Sequence, residues 1–547
     1  RRELWQVAGA LRFLPVHQEE ARLENETEEE VRRVGLQVLR QLEEEALKGR
    51  DAKGLRRLSE APETAQRLLA LRLLEAGGED IILDRLLGDR EALVRRQALV
   101  TAGRRGESQW WSSIVTQLAS PQAHHVAAAV LREKGEEALV VLEEFWAQAG
   151  QPREVAARAT RLCAQVGGEQ VKSLLLNRLS IMEVEVKTEA LDGLRLCGFR
   201  AVSTDELGQV EQRLEEAVDD TAWAMAGILD LESEERGGDL RRQLGLEIDA
   251  LRERIFSLLE LVHESQQIGL VRDSFKSGSG DGRIYALELL DVLLAPSVRE
   301  MLFPVLEDLT LNQRLRRLED HFPQQRLSAV ERLKDIVNCE YSRASRWTRV
   351  CALHALAGMD GNGVFDEQLA QLFNPDPLLH ESAGKDISAG DPTVFSQYAE
   401  KLPRAIRSDL LELLSMPERK SIFEKVLLLK KTGVLKGVAE VRLALLADYC
   451  EVGQFPAGSA ILEEGKQIDR AYLLVDGSVE VRGERGALEQ DEPGLLDALV
   501  WTPEGVSEGA VIAARDTTVI SVNRDVLAGF LAEHAEAARG LAEEISR

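Results

Sequence analysis

One type of segment recurs along the first half of this chain, and it limits the fold more than any single residue does. An acidic or proline turn leads into a Val/Arg/Ala-rich stretch with apolar residues at helical spacing, and a glycine follows. It is found at Glu91–Gly103, around Ala123–Leu131, at Arg153–Gly167 and at Glu183–Leu194. With Val94, Val126, Val155 and Val186 taken as equivalent, successive copies stand 32, 29 and 31 residues apart. Two helices of about 10–14 residues joined by short turns fill such a period. An earlier copy is read at Glu63–Gly77, and later ones near 282–296, 325–337 and 343–358. A helix pair of this size cannot bury its apolar stripe alone, so stacked neighbours must share a continuous core. Composition agrees: Leu, Ala, Glu and Arg dominate up to about residue 430, and aromatics are 5% of the chain, which favours helix over strand.

Charge and cysteine usage remove several functional classes. The chain carries 94 acidic against 68 basic residues, a formal charge of −26. Such a surface repels phosphate backbones and anionic lipid, so no nucleic-acid partner is expected. The five cysteines (Cys163, Cys197, Cys339, Cys351, Cys450) form no CxxC pair and read as free thiols in a reducing, cytoplasmic compartment. No run approaches about 18–20 apolar residues, so residues 1–547 are not expected to enter a bilayer. No Ser/His/Asp or Cys/His constellation is found, and the chain reads as no enzyme. Gly278–Gly282 lacks the preceding strand and the lysine of a phosphate loop and reads as a flexible linker. Asp360–Gly363 lacks two ligand positions of a calcium loop and reads as a tight turn. His124 and His125, being adjacent, point to different helix faces and read as packing or surface residues rather than metal ligands. Trp110 and Trp111 read as anchors between repeats. The repeated segments resemble HEAT or armadillo-type repeats, which implies an α-solenoid with a face for a protein partner.

Past Lys431 the pattern changes. An amphipathic helix is expected at 421–432, then short apolar alternations separated by glycines at 459–462, 471–475, 478–481, 510–513 and 517–522. This spacing suits a small antiparallel barrel or jelly roll, closed by a helix from Asp525 to about Ile545 whose apolar side covers it. The run Phe455–Gly465 with Ala471–Val481 resembles the front half of a cyclic-nucleotide-binding domain, and 515–526 continues the likeness over about residues 420–547. Gly458, Gly465 and Gly477 fall at that family's turn glycines, where tight corners need positive φ.

The resemblance also implies a ligand site. Its phosphate-binding segment carries a glycine, a glutamate for the ribose hydroxyl, an arginine for the cyclic phosphate and a threonine. Aligned here are Leu496 for the glycine, Asp497 for the glutamate followed by Ala498, Ser507 for the arginine and Ala510 for the threonine, with Glu508 adding negative charge. An arginine–phosphate pair contributes ~1.5–3 kcal/mol, and from residue 434 onward 10 basic residues face 21 acidic ones. Cyclic-nucleotide binding is therefore expected to be weakened or lost. Arg515 and Arg482 are the candidate substitute phosphate ligands. No cofactor is expected; a cyclic nucleotide is the one small ligand the resemblance implies.

Gly282–Leu294 and Glu424–Lys431 are similar to the soluble tails of bacterial fusions that follow a major-facilitator or ATP/ADP-carrier-like membrane domain. The chain begins at Arg1 without a methionine, so a native start upstream is expected, and with it an upstream membrane domain as the alternative partner. The full expectation is a mainly α protein. A HEAT-like α-solenoid occupies 1–415, a connecting helix 416–433, and a cyclic-nucleotide-binding-like β domain with a C-terminal helix 434–547. Its role is read as a non-enzymatic regulator or scaffold. The alternatives are the cytoplasmic region of an inner-membrane transporter fusion, or a working cAMP or cGMP sensor.

Overall fold

The computed structural model describes residues 52–545 except 76–79, 148–152, 181–183, 235–236, 278, 360–364, 417, 467, 484–485, 497–506 and 508. The turn expected at Asp360–Gly363 lies outside the described residues. The chain is mostly helical with a small antiparallel sheet region. It divides into two compact units, residues 1–162 with 454–547 and residues 163–453.

In the first unit the helices include α1 (Ala92–Arg105), α2 (His124–Lys134) and most of α3 (Arg153–Val166). The equivalent valines explain why these segments pack: Val94 and Val155 are buried, while Val126 is half-buried beside the fully buried Ala127. The motif's glycines do two different jobs. A Cβ on Gly103 would stand 2.6 Å from Val130 Cγ1, so its absence lets α1 and α2 approach closely. Gly167 instead has φ +74° and ends α3, a left-handed closure that glycine adopts at little cost. Trp110 and Trp111 are both buried.

The second unit begins its own packing with the same motif. In α4 (Val184–Leu196) Val186 is buried, and a Cβ on Gly193 would lie 2.6 Å from Ala164 Cβ. Longer helices follow: α5 (Thr204–Asp230), started by a Ser203/Glu206 capping box, and α6 (Gly238–Leu259) packed along it. At 1.5 Å per residue, the 27 residues of α5 run about 40 Å. Its second half, Thr221–Gly227, is buried on every side, the mark of a helix at the centre of its unit. Then come α7 (Ser265–Lys276), α8 (Ala329–Asn338) and α9 (Arg346–Ala357). The expected linker at Gly278–Gly282 is instead a helix start: Ser279 Oγ accepts from the Gly282 amide, capping Gly280–Leu293. The helix expected at 421–432 is found at Ile422–Leu429, opened by a Ser421/Glu424 capping box and packed against Pro377–Gly390 within the second unit. Among the described residues no helix is long and apolar enough to cross a membrane.

Among the described residues seven strands follow: β1 (Cys450–Phe455), β2 (Ala460–Leu462), β3 (Arg470–Asp476), β4 (Val479–Gly483), β5 (Gly486–Gln490), β6 (Gly509–Ala513) and β7 (Thr517–Asn523). They form two sheets, ordered β1-β7-β3 and β2-β6-β4-β5. Leu473, Val475, Val479, Val511, Val519, Ile520 and Val522 are buried in them. The closing helix is broken in two. Asn523 caps α10 (Arg524–Glu533), His534 takes an extended conformation (φ −126°, ψ 94°), and α11 (Ala535–Ile545) restarts beyond it. His534 is buried against Phe530, with ring centroids 4.5 Å apart, which fixes the break as a packed corner. Helix α10 lies on β3 and β7, as expected of a covering helix, and also touches α2.

Candidate functional site

The β2–β3 turn and the start of β6 are stitched together around Ser507. The Gly465 amide donates to the Ser507 carbonyl (2.8 Å), and the Ser507 amide donates to Lys466 (3.0 Å). The Ser507 side chain is 2% exposed and its hydroxyl donates to the Gly509 carbonyl at 2.5 Å. The place aligned with the phosphate arginine thus holds a short, buried hydroxyl already committed to the backbone. Leu496 sits on a short bridge to β3, its amide donating to Tyr472 O (2.9 Å), with its side chain 5% exposed. A buried leucine therefore occupies the position aligned with a bare glycine. Asp497 and Ala498 lie outside the described residues.

The candidate substitute arginines fall in different places. Ala510 of β6 pairs in register with Arg482 of β4, so the two project from the same side of the sheet. Arg482 is exposed and donates to Glu480 at 2.7 Å. Arg515 stands in the β6–β7 turn and donates to the Gly477 carbonyl at 2.8 Å. Ser507 and Arg515 flank β6 at opposite ends, and its five residues span about 17 Å. Ser507, Ala510 and Arg482 are brought to one end of the sheet, and Arg515 is not.

The three turn glycines all adopt positive φ: +86° at Gly458, +75° at Gly465 and +111° at Gly477. Gly477 is doubly constrained, because a Cβ there would stand 2.6 Å from the Thr517 Cα.

A second cluster had no sequence signature. Glu533, at the end of α10, is met by three basic side chains from α2 and α3: Arg158 Nε at 2.7 Å, His124 Nε2 at 3.3 Å and Arg161 at 3.9 Å. At the other end of α10, Asp525 pairs with Arg96 of α1 at 2.5 Å. Between these pairs Gly529 admits the His124 ring, since a Cβ on it would lie 2.6 Å from His124 Cε1. Burial would raise the Glu533 pKa, but Arg158, His124 and Arg161 outweigh it and hold the carboxyl below its usual range. Burial first, and the Arg158 charge second, push the His124 pKa down. Burial and then Arg96 do the same at His125. His124 Nδ1 stands 3.0 Å from the Ser120 carbonyl, so in the neutral ring it donates there and Nε2 faces Glu533 without a proton. The cluster therefore holds α10 by charge, in an arrangement that acid perturbs.

No family model matches the chain. Over 126 residues it is 23% identical to the CRP-like cAMP-activated global transcriptional regulator of Mycobacterium tuberculosis, in strains CDC 1551 / Oshkosh and H37Rv. That match covers 22% of this chain and 56% of the relative, so the chain spans about half the length of the curated relatives it matches. Among solved structures it is similar to the sensor domain of the transcriptional regulator DNR from Pseudomonas aeruginosa (15% identity, 22% of this chain and 90% of that one, TM-score 0.21). It is also similar to the regulatory domain of Toxoplasma gondii PKA crystallised with cAMP (17%, 26% and 56%, 0.23). A third is a cyclic nucleotide-binding-like protein from Brucella abortus (22%, 20% and 98%, 0.17). Part of the chain is thus similar in sequence to a cAMP-activated regulator, alongside its helical bulk.

Proposed function

We propose that this chain is a non-enzymatic regulatory or scaffold protein. Its helices stack as a HEAT-like solenoid that contacts a protein partner. Its cyclic-nucleotide-binding-like region acts as a sensor or dock in which cyclic-nucleotide binding is weakened or lost. The observation that carries this reading is the double engagement of α10, which lies on β3 and β7 and is held by Arg96 and Arg158 of the helical part. An element bound on both sides can pass a change in one to the other, provided a ligand or partner favours one of its positions. Weakened nucleotide binding is supported by the buried Ser507 and Leu496 at the aligned positions. Losing one bidentate arginine–phosphate contact costs ~1.5–3 kcal/mol, or roughly 10- to 150-fold in affinity.

The test is calorimetric titration of the purified chain with cAMP, cGMP and ATP, with thermal melts in parallel. A ligand bound only by the folded state adds ~2.7 kcal/mol at a hundred times its dissociation constant. No response to cyclic nucleotides below millimolar concentration is expected. A micromolar response abolished by Asp497→Ala would overturn the reading and make the region a working cyclic-nucleotide sensor.

A further inference from the structure

The second unit contains a cavity of about 290 Å³ between α4, α6, α7 and the turn before α9. That is near the lower limit for small-molecule pockets, ~300 Å³. Four arginines line it, and three are committed. Arg195 bonds Asp192 and Glu260, Arg272 bonds Glu260 and Ser257, and Arg343 bonds Asp219 and Asp220. The fourth, Arg254 of α6, makes no hydrogen bond or contact-distance ion pair with any described residue. Of the four carboxylates whose charge it feels, Asp220 is engaged by Arg343, Glu247 by Thr348 and the Ser345 amide, and Glu216 by Arg213; Glu185 is the fourth. Arg272 Nε, which also lines the cavity, faces the Glu253 carboxylate at 3.4 Å.

A half-buried guanidinium with no protein acceptor keeps its donors available to a ligand that enters the cavity. We propose that the cavity is a binding site for a small apolar monocarboxylate, whose carboxylate is taken by Arg254. The fork of a guanidinium matches a planar carboxylate in two parallel hydrogen bonds. Charge selects the class further. Asp192, Glu247 and Glu253 also line the cavity, so a single negative charge matches the one unspent cation. A phosphate monoester, at about −1.5 to −2 near neutral pH, meets added repulsion. Leu191, Leu251, Val184 and Ala250 supply an apolar wall for the rest of the molecule. This site is independent of the β region and of any cyclic nucleotide.

The experiment uses the full chain with sodium hexanoate as probe, followed by calorimetry and by thermal melts at constant ionic strength. Inorganic phosphate is the comparison. Saturable stabilisation by hexanoate is expected, with phosphate inert at the same concentration. Arg254→Gln is expected to weaken hexanoate binding at least tenfold, as loss of a charged hydrogen-bond pair does. Arg254→Lys, which keeps the charge but not the fork, falls between the two and reports on the site if Arg254→Gln does not fold. Equal responses in wild type and variants, no saturable response to hexanoate, or phosphate binding as well as hexanoate would each overturn the assignment.

Discussion

Replacing Glu533 with alanine removes the carboxylate on which Arg158, His124 and Arg161 converge. The magnitude follows from the geometry. The Arg158 contact is a charge-assisted hydrogen bond of 2.7 Å between groups only 18% and 15% exposed, a setting in which such bonds contribute ~1.5–3 kcal/mol. Arg161, at 3.9 Å and 28% exposed, adds at most ~0.5 kcal/mol, as solvent-screened pairs do. His124 is neutral when its pKa is depressed and adds little at pH 7. Arg158 keeps a second bond to the Leu118 carbonyl at 3.0 Å, so it is not left wholly unpaired and the larger penalty of a stranded charge is avoided. A loss of about 2–3 kcal/mol is therefore expected at the α10 contact. Amide exchange reads this locally: if α10 opens as a unit, protection across 524–533 falls about 30- to 150-fold. A cycle with Arg158→Ala should give a coupling energy of ~1.5 kcal/mol. Destabilisation below ~0.5 kcal/mol, or a loss of protection shared equally by α10 and by the second unit, would refute the idea that this carboxylate holds the helix.

Three further outcomes can be checked on purified protein. Gly477→Ala combines a φ of +111° with a 2.6 Å approach to the Thr517 Cα, and should destabilise the β region by ~2–4 kcal/mol in denaturant melts; a neutral effect would mean that the β3–β4 turn relaxes. Asp230→Ala removes the carboxylate that Arg332 bonds at 2.8 Å, with both side chains at most 2% exposed, while Arg332 keeps Asp335 at 2.8 Å, and should cost ~1.5–3 kcal/mol; a smaller loss in the Arg332→Leu background would identify this pair as the cause. Acid should loosen the α10 contact. His124 and His125 are held below the usual 6.5 when folded, so their contribution is present above pH 6.5 and is lost as pH falls, by at most ~1.4 kcal/mol per pH unit each. Burial raises the carboxyls of Asp220, Glu381 and Asp448, a contribution that grows on acidification. Between pH 7.5 and 5.5, exchange corrected for its intrinsic rate should therefore accelerate in 124–134 and 524–533 more than in 204–230. The reverse order would overturn this account.

How far the sequence reached depended on the kind of force involved. Apolar periodicity exposed the helices, because burying a stripe needs a regular spacing, and Val94, Val155 and Val186 are buried accordingly. Alternation exposed β2, β3, β4, β6 and β7. It missed β1 and β5, whose sequences CEVGQF and GALEQ lack the β-branched runs that mark a buried strand. The break at His534 escaped because the surrounding residues all favour helix, and only packing on Phe530 overrides them. Of the candidate site, alignment placed Ser507 and Ala510 near one another in sequence, and the register adds Arg482 as the neighbour of Ala510. The distance of Arg515 from that group became visible only when the ends of β6 were located.

The groups that join parts of the chain distant in sequence share a different property. Arg96, His124, Arg158 and Glu533 are isolated polar residues, separated by up to 429 positions in the Arg96–Asp525 pair, and no periodicity announces them. Their effect is out of proportion to their number. The β strands and the first helices form one compact unit, although nearly 300 residues of helix lie between them in the sequence. Closing so long a loop costs entropy that grows only with the logarithm of its length, so a modest set of contacts suffices to offset it. Polar contacts also serve a regulated joint better than an apolar seam does. Charged pairs respond to pH and to salt screening. The contacts at α10 are therefore of a kind that pH and salt can weaken, and Glu533 is the residue on which most of them converge.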